Sequence, residues 1–88
     1  MDTNCNKQLL QCTLAEIVKE LRLKQKKSIS LSSAEIGITK SIWADLEKGI
    51  KDPQLSTVWR IAEGLEIQPS QLIKLIEEKL DKNFTFLD

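Results

Sequence analysis

Residues 34–49 read AEIGITKSIWADLEKG, and this stretch decides the fold. Gly37 stands between two isoleucines, where a residue in the left-handed region would end one helix. Thr39 offers its side chain as a cap for the next helix. The residues after it bury well only as a helix, which Gly49 would end. The pattern therefore predicts two short helices joined by a tight turn at glycine.

The apolar positions of this stretch predict which side of the third helix of the chain is buried. The residues expected to face inward are Ile36, Ile38, Trp43 and Leu46. The residues left on the opposite side are Thr39, Lys40, Ser41, Ala44 and Asp45, with Ile42 at the margin. A helix N-terminus carries unpaired N–H groups and a partial positive charge. Short polar side chains at such an end allow a polyanion to approach closely.

Patterns on either side predict three more helices. Thr13 and Glu16 form a capping box that starts helix 1, which runs to about Lys24. Residues 1–12 lack periodicity and are predicted to be a flexible arm. Helix 2 must begin between Ser28 and Ser32. The residues expected to face inward on helix 4 are Leu55, Val58, Ile61, Ala62 and Leu65.

Helix 5 begins near Pro69, since proline suits the first turn of a helix. The whole pattern predicts an all-α fold of five helices without a sheet. Residues 13–73 would form the domain, and residues 74–88 an extension of the last helix with a tail.

Composition limits the functions that are open to the chain. It has 88 residues, which suit one small domain, and no histidine, which disfavours acid–base catalysis. Cys5 and Cys12 match no metal-binding spacing and are predicted to be reduced thiols in a cytoplasmic protein. We expect no enzyme activity, metal or cofactor. We also expect no membrane segment, because no apolar run approaches about 18 residues.

The formal net charge of zero hides an uneven distribution. Residues 19–51 carry eight basic and four acidic side chains, a net charge of +4. The segments before and after it sum to −1 and −3. A basic stretch of this kind is a candidate footprint for an anionic partner.

Two motifs, GITKSIWADLEKG at 37–49 and DPQLSTVWRIAEGL at 52–65, identify a resemblance to a known family. Over about residues 14–73, the chain resembles the lambda-repressor-like, Cro/C1-type (XRE family) helix-turn-helix domain. That resemblance implies sequence-specific binding of double-stranded DNA, with helix 3 in the major groove. Helix 2 departs from the family pattern, because Ile29 and Ser32 stand where glutamine and leucine are usual. The larger Trp43 is expected to fill the space that Ser32 leaves.

The resemblance also implies roles for individual residues. The base-facing set is Lys40, Ser41, Asp45, Thr39 and Ile42. The phosphate-contacting set is Lys48, Lys51, Ser28 and Ser30. Arg22 and Glu47 fall where the family often places a structural ion pair. For Asp45, a base contact and a merely exposed acid both stay open.

The predicted function is a transcriptional regulator, a repressor that acts as a homodimer on an inverted repeat. The predicted dimer interface is the set Leu72, Leu75, Ile76, Leu80, Phe84 and Phe86. The alternative for the tail is packing back onto helix 1, and Trp59 is either a core residue or a subunit contact. The second functional hypothesis is an antitoxin-like or adaptor module that binds an unidentified protein and lacks strong DNA binding.

Overall fold

A computed structural model describes residues 3–87 of the chain. It contains the helices α1 (Thr3–Lys24), α2 (Ile29–Ile36), α3 (Lys40–Glu47), α4 (Leu55–Gly64) and α5 (Pro69–Lys79). No strand occurs within the described residues. The predicted all-α fold of five helices is confirmed.

The helices enclose one core. Helix α1 packs against α3 and α5, α2 packs against α3 and α4, and α4 packs against α5. The buried core consists of Leu14, Ile17, Val18, Trp43, Leu46, Ile61, Ala62, Leu65, Leu72 and Ile76. Helix α2 adds no buried residue to this apolar cluster, but its half-buried Ile29 and Ile36 pack against it.

Helix α1 begins ten residues earlier than its sequence indicates. The prediction that residues 1–12 form a flexible arm before helix 1 is wrong for residues 3–12, which belong to that helix. Residues 1 and 2 lie outside the described part. The predicted capping box at Thr13 is also wrong. The Thr13 hydroxyl donates to the carbonyl of Leu9 at 2.8 Å, a bond that a threonine makes inside a helix. Leu10, four residues before Leu14, extends the apolar stripe and packs against the core.

The turn between α2 and α3 has the predicted geometry. Ser28 caps α2 by accepting from the Leu31 N–H at 3.0 Å, which places the start of α2 within the predicted range. Gly37 ends that helix with φ at +74°. Thr39 caps α3 by accepting from the Ile42 N–H at 3.1 Å. Gly49, with φ at +75°, ends the turn that follows α3.

One inward prediction for α4 is wrong. Leu55, the first residue of α4, is 72% exposed and borders a surface depression between α4 and α5. Trp59 is 52% exposed, so it is a surface aromatic and no core residue.

Helix α5 corrects the predicted dimer interface. Leu72 and Ile76 are buried in the core of the monomer, so they cannot supply an interface between two copies. Leu75 and Leu80 are half-buried against the same core. A small bundle uses the stripe of its last helix to close itself, which explains why the stripe is absent from the surface.

The tail after α5 returns to α1. The side-chain amide of Asn6 donates to the carbonyl of Thr85 at 2.7 Å. Phe84 is half-buried, and its ring meets that of Phe86 edge to face at 5.6 Å. The tail therefore adopts the second of the two predicted arrangements, packing on the same chain.

Candidate nucleic-acid interface

The inner face of α3 is fixed by two buried side chains. Trp43 and Leu46 are 1% and 2% exposed, and both belong to the core between α1 and α4. They lie three residues apart, which puts them on one side of the helix. The rotation of α3 is therefore set by its packing, and the opposite side must face outward.

An ion pair holds the C-terminal end of α3 to α1. The guanidinium of Arg22 donates through Nε and Nη2 to the two carboxylate oxygens of Glu47, at 2.5 and 3.0 Å. Its Nη1 donates to the carbonyl of Lys27 at 2.8 Å, just before α2. Both side chains are largely buried. The pair therefore joins α1, α3 and the segment that leads into α2.

The sequence did not suggest a third member of this network. The indole N–H of Trp43 donates to Oε2 of Glu47 at 2.7 Å. Burial opposes the charge on Glu47, but the hydrogen bonds from Arg22 and Trp43 outweigh it and lower the pKa of this carboxyl. The spacing of four residues between Trp43 and Glu47 on one helix was the available signal.

The outer face of α3 carries the residues that the sequence assigned to the bases. Thr39, Lys40 and Ser41 are exposed around its first turn, and Ile42 beside them is 37% exposed. Asp45 lies one turn further along and is half-buried. The structure brings all five onto one open side of the helix, although the Thr39 hydroxyl already caps α3.

The predicted phosphate-contacting residues flank this outer face. Lys48 and Lys51 are exposed after α3, and Ser28 and Ser30 are exposed at the start of α2. An open depression of about 590 Å³ joins the start of α2 to Lys40 and Ser41. Within residues 3–87, no acidic side chain forms an ion pair with Lys40, Lys48 or Lys51. Their positive charge is thus available to an anionic partner.

Other kinds of site find little support in the structure. Across the described residues, no cluster of three or more cysteine and acidic side chains is arranged to hold a metal ion. None of the helices described combines the length and the hydrophobicity needed to cross a bilayer.

Comparison with known proteins agrees with this geometry. The family model "Helix-turn-helix" (HTH_3) matches residues 18–72. A solved structure, described as an HTH_3 family transcriptional regulator from Vibrio cholerae, is similar with a TM-score of 0.75 and 26% sequence identity. The similarity covers 93% of this chain but 46% of that protein, so the chain corresponds to less than half of its length. No curated protein matches the sequence.

Proposed function

The chain belongs to the helix-turn-helix family HTH_3, as its sequence motifs predicted, and on that premise we propose that it is a DNA-binding transcriptional regulator. One observation carries the proposal most directly. The side of α3 opposite Trp43 and Leu46 is open and polar, and it bears a lysine that is free of ion pairs within the described chain. Such a helix can enter the major groove, where base edges carry sequence information.

We assign base contacts to the first two turns of α3. Lys40 is placed to donate to O6 and N7 of a guanine, and Ser41 to donate or accept beside it. Ile42 is exposed enough to contact a thymine methyl group. Asp45 would accept from N4 of a cytosine. Thr39 is occupied with capping, so its contribution is contact with the groove wall.

Contacts with phosphates would hold the domain in register without reading the bases. Lys48 and Lys51 supply charge on one side of α3. Ser28 and Ser30 supply hydroxyl groups at the N-terminus of α2, where unpaired N–H groups also face an anion. The Ser28 hydroxyl accepts from Leu31, which leaves its own proton available for a phosphate oxygen.

We further propose that the regulator is a homodimer that represses transcription from an inverted repeat. We place the dimer interface at an apolar patch formed by Leu55, Trp59 and Ile73, instead of at α5 and the tail. These three side chains are 72%, 52% and 44% exposed. These side chains border one depression of about 280 Å³ between α4 and α5. A two-fold contact there would present two α3 helices to successive major grooves, about 34 Å apart.

The second candidate function is a protein-interaction module that has the fold but binds DNA weakly. Asp45 favours it, because a half-buried acid on the outer face of α3 repels phosphates unless it meets a donor. The formal net charge of zero also favours it.

The salt dependence of DNA binding separates the two functions. Bound sequences are selected from a random duplex pool, and the affinity for the selected duplex is measured between 50 and 200 mM salt. A protein with six to ten phosphate contacts loses affinity about 10³- to 10⁵-fold over this range. Only charged side chains release counterions, and Lys48 and Lys51 give four such contacts in a dimer, so we expect a loss of about 10²-fold. If no duplex binds at low salt, the regulator proposal fails and the protein-interaction module stands.

The dimer is tested by sedimentation of the full-length chain. Trp59→Lys is expected to weaken association, because it places a charge in the apolar patch. Leu23→Lys is the matched control, since Leu23 is 53% exposed on α1, away from that patch. Truncation after Ile73 is unsuitable, because it removes Ile76 from the core. If Phe86→Ser dissociates the dimer and Trp59→Lys does not, the interface lies at the tail.

A further inference from the structure

An apolar pocket lies on the side of the molecule formed by α1, α5 and the tail. It has a volume of about 390 Å³, within the range of about 300–1,000 Å³ that small-molecule sites occupy. Its wall includes Leu10 and Leu14 of α1, Val58 of α4, Ile76 of α5 and Phe84 of the tail. We refer to it as the tail pocket.

The lining of the tail pocket is almost wholly apolar, with carboxylates at the rim. Asp52 and Glu77 border the pocket and are exposed, whereas Leu10 and Phe84 are half-buried. The ammonium of Lys7 lies 3.5 Å from a carboxylate oxygen of Asp52, so this rim already attracts one cation. No basic side chain among residues 3–87 pairs with Glu77.

We propose that the tail pocket binds a small amphipathic cation, such as an alkylammonium, with its chain inside and its charged group beside Glu77. The apolar wall would gain from covering a hydrocarbon chain, and the carboxylates select the sign of the polar end. This site shares no residue with the outer face of α3 and does not depend on DNA binding.

The size of the tail pocket favours a small ligand over the helix of another protein. The tail crosses α1, where Asn6 holds the carbonyl of Thr85 at 2.7 Å, and Phe84 forms one wall. An amphipathic helix of another protein needs a groove that takes several turns of its apolar face. The volume of about 390 Å³ lies near the lower end of the range for small-molecule sites, which favours a compact occupant.

The first test is an NMR titration of the ¹⁵N-labelled full-length chain. Octylammonium chloride is the probe, and octanol and octanoate are matched in chain length. We expect saturable shifts at Leu14, Ile76 and Phe84. We also expect octylammonium to bind about two- to fivefold more tightly than octanol, as an exposed ion pair allows. Octanoate is expected to bind most weakly.

Two variants give the second test. Glu77→Gln is expected to remove most of the preference for octylammonium over octanol, whereas the neighbouring Glu78→Gln is the matched control and keeps it. Leu10→Phe fills the pocket and is expected to weaken binding of all three probes about tenfold or more, since each excluded methylene group costs about fourfold. Glu77→Gln needs no change in the apolar wall, so it decides the question even if Leu10→Phe impairs folding.

The proposal is overturned if no saturable shift occurs at the pocket, or if octanoate binds as well as octylammonium. It is also overturned if raising the protein concentration alone reproduces the shift at Phe84, which lies outside the proposed dimer patch, since a second copy of the chain would then fill the pocket. DNA binding is measured separately on the same samples. A failure of one proposal therefore leaves the other standing.

Discussion

The two faces of α3 differ in what determines their residues. On the inner face, Trp43 and Leu46 fill the core, and Glu47 accepts hydrogen bonds from both Arg22 and Trp43. On the outer face, Lys40 and Ser41 are exposed and make no ion pair within the described chain. The inner residues therefore account for stability, and the outer residues are available for recognition. Substitutions on the two faces should separate unfolding free energy from DNA affinity.

The largest effect on stability is expected from Arg22→Ala. It leaves the largely buried carboxylate of Glu47 without its ionic partner, which should lower the free energy of unfolding by about 3–5 kcal/mol. The measurement is urea denaturation followed by circular dichroism. Lys79→Ala is the control, because Lys79 pairs with Glu20 at 3.1 Å on the surface and should cost under about 1 kcal/mol. Equal losses would contradict the structural role of the inner pair.

Alanine should be less costly to stability at Gly37, before α3, than at Gly49, after α3. Both have positive φ, so alanine at Gly37 should cost about 1–2 kcal/mol of stability through backbone strain. A Cβ at Gly37 meets nothing within 4 Å, whereas one at Gly49 would lie 3.0 Å from Sγ and 3.2 Å from Cα of Cys12. Gly49→Ala should therefore cost at least about 1 kcal/mol more.

The background variant Cys12→Ala separates the two causes at Gly49. It removes Sγ but keeps Cα, so it should recover only part of the extra loss caused by Gly49→Ala. If the two glycine-to-alanine variants lose the same stability in thermal unfolding, the close contact between residue 49 and Cys12 of α1 adds no cost, and this prediction is wrong.

Lys40→Ala on the outer face of α3 and Lys51→Ala beside that face should leave the free energy of unfolding within about 0.5 kcal/mol of the parent. Lys40→Ala is expected to cost about 1–3 kcal/mol of affinity in each half-site and to relax preference at one base pair there. Lys51→Ala should weaken all duplexes alike and, since a dimer loses two phosphate contacts, reduce the salt slope by about two. Binding is measured on a panel of single-base variants of the selected duplex. Identical profiles for the two variants would refute the division between base and phosphate contacts.

The buried carboxylate of Glu47 should also make the free energy of unfolding depend on pH. Because the folded pKa of Glu47 lies below its ordinary value of 4.5, its contribution is complete above that value. The contribution is lost as pH falls through the lower folded pKa, at up to about 1.4 kcal/mol per pH unit. Arg22 stays charged throughout, since its pKa is raised by the hydrogen bond to Glu47.

The measurement is urea unfolding between pH 3 and 6. Glu47→Gln should flatten the slope, and the exposed Glu78→Gln should keep it. A full slope in Glu47→Gln would mean that other carboxylates cause it.

The same division explains which features the sequence could predict. The end of α2 and the start of α3 follow from local chemistry at Gly37 and Thr39, so they were predicted closely. The start of α2 was predicted only to lie between Ser28 and Ser32, because several serines there can each cap a helix. The outer residues followed by elimination once Trp43 and Leu46 were placed inside. Helix periodicity identifies an apolar stripe but cannot tell whether it closes the monomer or joins two copies. The stripe of α5 was therefore assigned to a dimer, although Leu72 and Ile76 complete the core.

The smallest expected effect on stability concerns a buried hydroxyl group of α2. Ser32 is buried, and no described group hydrogen-bonds its hydroxyl, whereas the buried neighbour Ser33 donates to the carbonyl of Ser30 at 3.0 Å. Ser32→Ala removes an unsatisfied polar group and should raise the free energy of unfolding by about 0.5–1 kcal/mol. Ser33→Ala, the matched control, breaks a made bond and should lower it by a similar amount. Equal destabilisation by both variants would show that the Ser32 hydroxyl forms a hydrogen bond. The serine would then stabilise the buried face of α2 at the position where the family pattern has leucine.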